Sequence, residues 1–229
     1  MNNLPIGISI LFAATTCLTV WLFYRASNKS GPLLIFLLSW MLLQAIVGLS
    51  GFYQVKDAFP PRFAFILSPS LVLCILLFIT RRGRDFMDKL LIDRLTILHA
   101  IRIPVEITLY VVYTTGLIPV LMTFEGCNPD ILSGISALIM FYLVFMKRKA
   151  GDKALLIWNF VCLGLLVNIV TIAVLAAETP FQMLAFDQPN RGVAIFPLVW
   201  LPTVVVPIVL ISHLAAIRQL IRKIRHKGM

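Results

Sequence analysis

The sequence predicts an all-α integral membrane bundle of about seven transmembrane helices, with the N-terminus outside and the C-terminus in the cytoplasm. Three observations predict it. Of the 229 residues, 60% are hydrophobic and 13% charged, with a mean hydropathy of +0.95; a soluble domain is about 45–50% apolar. The apolar residues gather in seven runs, each close to the ~20 residues that cross a bilayer as a helix. The basic residues fall between those runs, in connections that alternate between rich and poor.

The runs lie at about 4–24, 31–53, 62–80, 95–118, 130–146, 154–177 and 194–216. With their connections they fill the chain, so residues 1–229 are expected to form one membrane domain and 217–229 a basic cytoplasmic tail. Barrel strands would show ~10-residue alternating segments, and none occurs. The first run, LPIGISILFAATTCLTVWLFY, has no Lys or Arg ahead of it. The basic start of a signal peptide is therefore missing, and the run is expected to be a retained span. Cys17, Cys74 and Cys162 lie inside runs and Cys127 in a connection, which argues against an intrachain disulfide framework.

Orientation follows from Lys and Arg. One set of connections holds Arg25 and Lys29; Arg81, Arg82, Arg84, Lys89 and Arg94; Lys147, Arg148, Lys149 and Lys153; and, in the tail, Arg218, Arg222, Lys223, Arg225 and Lys227. The other holds Lys56, Arg62 and Arg191. The sets alternate strictly along seven spans, and the positive-inside rule places the rich set in the cytoplasm.

Three connections carry local signals. In RRGRDFMDKLLIDR (81–94), Arg84 and Asp88, and Asp85 and Lys89, stand at helical pairing distance, with Phe86, Leu90 and Leu91 free to lie on the membrane surface. Asn128-Pro129-Asp130 reads as a helix start, with Asn128 as cap and Asp130 near the positive end of the dipole. Thr179-Pro180-Phe181-Gln182 reads as a capping box opening a short helix that anchors on the outer surface. The tail RQLIRKIRHKGM is expected to rest on anionic headgroups. It accounts for much of the net charge of +10, and with no recognition motif beside it nucleic acid is not an expected partner.

Ionisable groups inside a membrane are costly and mark function by default. In the fourth run, RLTILHAIRIPVEITLYVVYTTG, His99, Arg102 and Glu106 follow at spacings of three and four and share one helical face. Arg102 and Glu106 are expected to pair, and Pro104 between them to kink the helix. Tyr110 and Tyr113 continue the stripe. By depth, His213 on the seventh run and Asn159 on the sixth match His99, while Asn168 falls near Glu106. The seventh run carries Pro197, Pro202 and Pro207, so it is expected to be kinked or unwound, with neighbouring helices satisfying the freed carbonyls. Broken helices of this kind line binding sites in transporters.

Several classes are excluded by what the runs lack. No lysine lies inside a span for a retinal Schiff base, no arginine series marks a voltage sensor, and no H-E-x-x-H motif marks a zinc protease. No cofactor is predicted, although His99 and His213 leave haem, or a metal, chemically allowed. The stretches RIPVEITLY, LMTFEGCNPDILSG and FPLVWLPTVVVPIVLISHL resemble a group of uncharacterised bacterial multi-pass membrane proteins without an assigned activity. The resemblance covers about the C-terminal three-fifths of the chain and implies a bacterial inner membrane.

Three functions remain open on these residues. The first is a carrier or binding protein for a small or lipidic molecule, with a pocket between spans four, six and seven. There Arg102 would hold an anionic group, Glu106 would pair with it or take up a proton, and His99, Asn159, Asn168, His213 and Tyr110 would complete the site. The second is a membrane-embedded enzyme or redox protein using His99 and His213. The third is a structural or sensor subunit in which Arg102 and Glu106 only hold the fold.

Overall fold

The computed structural model describes residues 4–55 and 61–227. Lys56, one of the three cations on the basic-poor side, lies outside them. Among the described residues the protein is all-helical, with no strand beyond one isolated bridge between Ala177 and Asn190. Its helices are α1 (Ile6–Ala26), α2 (Gly31–Leu49), α3 (Ala64–Ile79), α4 (Arg81–Lys89), α5 (Ile92–Thr114), α6 (Ile131–Met146), α7 (Asp152–Leu175) and α8 (Leu201–His226). α4 is polar, and the other seven answer the seven apolar runs in order.

Five of these, α1, α2, α5, α7 and α8, are long and apolar enough to cross a membrane. α3 has 16 residues, about 24 Å at 1.5 Å per residue against a hydrocarbon core of about 30 Å. Together with α4, from which it is bent by 92°, it passes the same test as one broken span. α6 is the other short apolar helix. Large apolar side chains such as Ile10, Ile35, Leu42, Ile46, Ile75, Ile139 and Val161 face outward, which is costly in water and neutral in lipid.

The core sits on α5 and α8, whose apolar windows are 61% and 67% buried, against 33%, 22% and 28% for α1, α2 and α7. They carry the buried His99, Arg102, Glu106 and His213, and the other helices pack around them.

Hydrogen bonds between connections define two ends of the bundle. At one, Asn28 Nδ2 donates to the Lys89 carbonyl at 3.2 Å and Lys223 pairs with Asp152 at 2.8 Å. At the other, the Arg191 N–H donates to the Leu117 carbonyl at 3.0 Å, and Gln188 Nε2 to that of Tyr113 at 3.1 Å. The first is the basic-rich end and the second the basic-poor end.

The prolines of the last run act as expected. Residues 201–205 form a single π-helical turn around Pro202, and α8 therefore begins at Leu201, later than the run at 194. Ahead of it Gly192–Ala194 is a 3₁₀ turn, and the Phe196–Pro197 bond is cis. Pro207 has no N–H for the carbonyl four residues back, that of Thr203. The Trp40 indole on α2 donates to that carbonyl at 2.9 Å, and the Trp200 indole answers with the Met41 carbonyl at 3.0 Å. Two indoles thus fasten α2 to the distorted start of α8.

Three local expectations are corrected. Asp88 does not pair with Arg84: it accepts from Arg218 on α8 at 2.8 and 3.1 Å and from Arg222. Arg84 instead donates to the Phe78 and Ile79 carbonyls at 2.9 and 2.7 Å, because the sharp α3–α4 bend turns those groups toward it. The basic tail is not a separate extension but continues α8, and Gln219 Nε2 donates to the Met87 and Leu90 carbonyls at 2.7 and 2.9 Å. Residues 179–182 form a turn rather than a helix: the Thr179 hydroxyl accepts from the Phe181 N–H at 3.2 Å, a local bond that competes with helix. Phe181, Met183 and Phe186 stay exposed there.

Candidate functional site

The predicted stripe on α5 is real: His99, Arg102 and Glu106 lie on one face and all three are buried. Ahead of Pro104 the helix tightens into a 3₁₀ turn at His99–Ile101. What the stripe faces differs from expectation, because Arg102 does not pair with Glu106. Its Nη1 donates to Asp130 Oδ1 at 2.6 Å and to the Cys162 carbonyl at 3.2 Å, and its Nη2 lies 3.1 Å from His213 Nε2.

The reason lies in α6. A Cβ on Gly134 would stand 2.8 Å from Ile103 Cγ1 and 3.3 Å from Arg102 Cβ, so only glycine lets α6 lie this close to α5. The close approach carries Asp130, at the start of α6, to Arg102. The Ser133 hydroxyl adds a donor to Asp130 Oδ1 at 3.0 Å. Ion and counter-ion come from different helices, and the pair holds those helices together.

Asn128 is not the cap of α6, which starts at Ile131 with Asp130 in the cap position and no side-chain cap bond; both residues belong to the site instead. Asn128 Oδ1 accepts from the Asp130 N–H at 3.3 Å, as a cap-like turn requires, but its Nδ2 donates to Glu106 Oε1 at 2.7 Å and to the Met122 carbonyl at 3.1 Å. Leu117, Ile118 and Met122 in the same connection are buried. Those apolar residues are the available signal that 115–130 folds inward rather than over the surface.

On the other flank, Asn159 Nδ2 donates to the Leu155 carbonyl at 2.9 Å, leaving Oδ1 as acceptor for His213 Nδ1 at 2.9 Å. This fixes the His213 tautomer from the network, with the proton on Nδ1 and Nε2 accepting from Arg102. A buried chain therefore runs Asn159, His213, Arg102, Asp130, Asn128, Glu106. His99 stacks on His213 with ring centroids 3.8 Å apart and 13° between planes, and meets Trp158 edge-on at 5.6 Å.

Axial ligands of one haem point ring nitrogens at each other across the porphyrin, whereas these imidazoles lie face to face and both His213 nitrogens are engaged. This arrangement does not bracket a haem. Among the described residues no three or more His, Cys, Asp or Glu side chains are grouped to hold a metal ion.

Two predicted residues fall outside the cluster. Asn168 is exposed and donates to the Cys127 carbonyl at 2.8 Å. Tyr110, near the basic-poor end of α5, is half-exposed and stacks on Phe124 with centroids 4.9 Å apart. Both side chains are turned away from the centre of the cluster.

Beside the cluster is a cavity of about 70 Å³ between α5, α7 and α8, lined on the α3 side by Phe63 and Leu67. A buried water needs about 10–15 Å³ of such space, so there is room for several atoms. Its walls are apolar, from Val105 and Leu109 on α5, Leu166 and Ile169 on α7, and Val205 and Val209 on α8, apart from Arg102, Glu106 and Asp130. Glu106 Oε2 and Arg102 Nε are buried and have no hydrogen-bond partner among the described residues; the same holds for both ring nitrogens of His99 and for Asn190 Oδ1. The site thus offers an acceptor and a donor one helical turn apart on an otherwise oily wall. Among curated proteins and among solved structures, nothing matches the chain. A family model described as a domain of unknown function (DUF8737) matches residues 59–221, and the chain belongs to that family.

Proposed function

We propose that the protein is a seven-span protein of the bacterial inner membrane, N-terminus outside, that binds or carries a small lipidic molecule in the cavity between α5, α7 and α8. Seven apolar helices and the grouping of basic residues at one end support the topology under the positive-inside rule. The observation that carries the function is Glu106. A buried polar atom without a partner costs about 1–3 kcal/mol, and this one lies beside an apolar cavity, where a ligand with a hydrogen-bonding head could satisfy it.

The residue roles differ from those expected. Asp130 already neutralises Arg102, which therefore anchors helices and offers a ligand only its Nε–H. Glu106 is the ligand acceptor. One unpaired acceptor and one unpaired donor suit a head that contains both, such as a hydroxyl or a protonated carboxylic acid, on an apolar chain. The stacked histidines favour this over the redox reading, because their geometry does not present two nitrogens to one metal.

The test uses 11-bromoundecan-1-ol, whose bromine quenches tryptophan, added to the protein in lipid nanodiscs. Saturable quenching that weakens at least tenfold in Glu106→Gln, at unchanged melting temperature, is expected. Quenching that is identical in the two proteins, or never saturates, refutes the role of Glu106. The structural reading has one observation in its favour, the Arg102–Asp130 pair, and it gains if wild-type protein binds nothing.

A further inference from the structure

At the basic-poor end a second hollow of about 730 Å³ lies among the segments that end α2, start α3, end α7 and start α8. Its walls mix polar and apolar groups: Tyr53, Gln54, Thr179 and Asn190, the arginines Arg62 and Arg191, and Leu49, Ala194 and Ile195. Arg191 is bound by Glu178 through two contacts of 2.6 and 3.1 Å, and the Arg62 guanidinium lies 4.7 Å above the Phe52 ring. A hollow this wide, with charge on its wall, is roomy and polar enough to take up water.

Phe63 lines both this hollow and the apolar cavity. Its ring is half-buried and packs against both apolar clusters, the large central one and the small one formed by Tyr53, Ile66, Ala194 and Val199. Val193 lines the cavity while its neighbours Arg191, Ala194 and Ile195 line the hollow, so the two spaces follow one another along the same two stretches of chain. The Phe63 ring borders both the polar hollow and the apolar cavity that Glu106 lines.

We infer that Phe63 is the partition between an outer vestibule and the ligand cavity, and that a single-chain amphipath reaches Glu106 from the basic-poor end past this ring. The inference rests on the proposed binding role of the cavity, but the route has a signature of its own. Phe63 sits at the start of α3, where turning one side chain opens the passage without parting the helices. A ligand arriving laterally from the bilayer would not meet it.

The route is tested with a cysteine placed on the cavity side of the partition. Leu67→Cys, in a chain with Cys17→Ser and Cys127→Ser, is held in nanodiscs and exposed to the charged, membrane-impermeant reagent methanethiosulfonate ethylsulfonate, with labelling followed by intact mass. Labelling is expected to be slow with Phe63 in place and at least tenfold faster in Phe63→Ala. Phe63→Leu should be intermediate, and it keeps the test valid if the alanine variant does not fold. Equal labelling rates in the Phe63 parent, Phe63→Leu and Phe63→Ala, at unchanged melting temperature, overturn the inference. Accelerated labelling that 11-bromoundecan-1-ol fails to slow supports the passage and removes the binding role. Saturable binding of that alcohol with no effect of either Phe63 variant on its exchange or on labelling keeps the binding role and places arrival from the lipid.

Discussion

Two points on the buried polar chain, Arg102 and Glu106, are built differently. Around Arg102, the start of α6 and two helices, α7 and α8, converge: Asp130, the Cys162 carbonyl and His213 lie within 3.2 Å of its two Nη atoms. One turn further along α5, Glu106 has a single donor, Asn128 at 2.7 Å, and its second oxygen is left beside an apolar cavity. Arg102 is thus held by several fixed partners, whereas one Glu106 oxygen has no hydrogen-bond donor among the described residues. The first arrangement fixes structure, and the second leaves chemistry to be completed from outside.

The contrast breaks most sharply at Arg102. Arg102→Leu leaves Asp130 buried without its cation and is expected to cost about 3–5 kcal/mol, read as a lower melting temperature and a lower chemical midpoint in detergent. Arg102→Leu with Asp130→Leu should regain much of the loss, because two apolar groups need no partners. Gly134→Leu comes next. It forces α6 away from Ile103, with an overpacking cost of about 1–3 kcal/mol, and separates Asp130 from Arg102 without altering either. Should it match the loss of Arg102→Leu, the close approach of α6 is what makes the ion pair.

Glu106→Gln sharpens the comparison from the other side. The amide oxygen can still accept from Asn128, so stability should change by less than about 1 kcal/mol while ligand binding falls. A loss of stability as large as that of Arg102→Leu would show Arg102 and Glu106 to play the same structural part.

The smallest effect is expected at the basic-rich end, where Arg218 beside Asp88 holds its carboxyl below the ordinary value of 3.8. A folded-state value below the unfolded one contributes stability above about pH 4, and that contribution is lost as pH falls through the lowered value. Its size is that of a partly exposed pair, about 0.2–1 kcal/mol. Acid titration of thermal stability in wild type and Asp88→Asn should therefore converge below the ordinary carboxylate range and separate above it.

Much of the fold was legible in the sequence for a simple reason: spans are written in twenty-residue blocks of composition. The α5 stripe was legible because His99, Arg102 and Glu106 share a period. Partners across helices are not written that way. Arg102 and Glu106 sit at a spacing that pairs on an isolated helix, and only the approach permitted by Gly134 brings in Asp130 instead. Asn128 and Asp130 read in the sequence as a local capping pattern, which hides their buried contacts. For Asn168 and Tyr110 the sequence implies a depth, but depth does not give the direction a side chain faces. The late start of α8 is signalled by Pro197 and Pro202, whereas the turn at 179–182 depends on the competing Thr179 bond.

Native mass spectrometry of the protein released gently from membranes, run in parallel on wild type and Glu106→Gln, asks whether Glu106 holds a ligand at all. Wild type is predicted to carry a non-covalent mass of lipidic composition that the variant lacks while both remain folded. A bare polypeptide in wild type, or the same bound mass in both, contradicts the binding role.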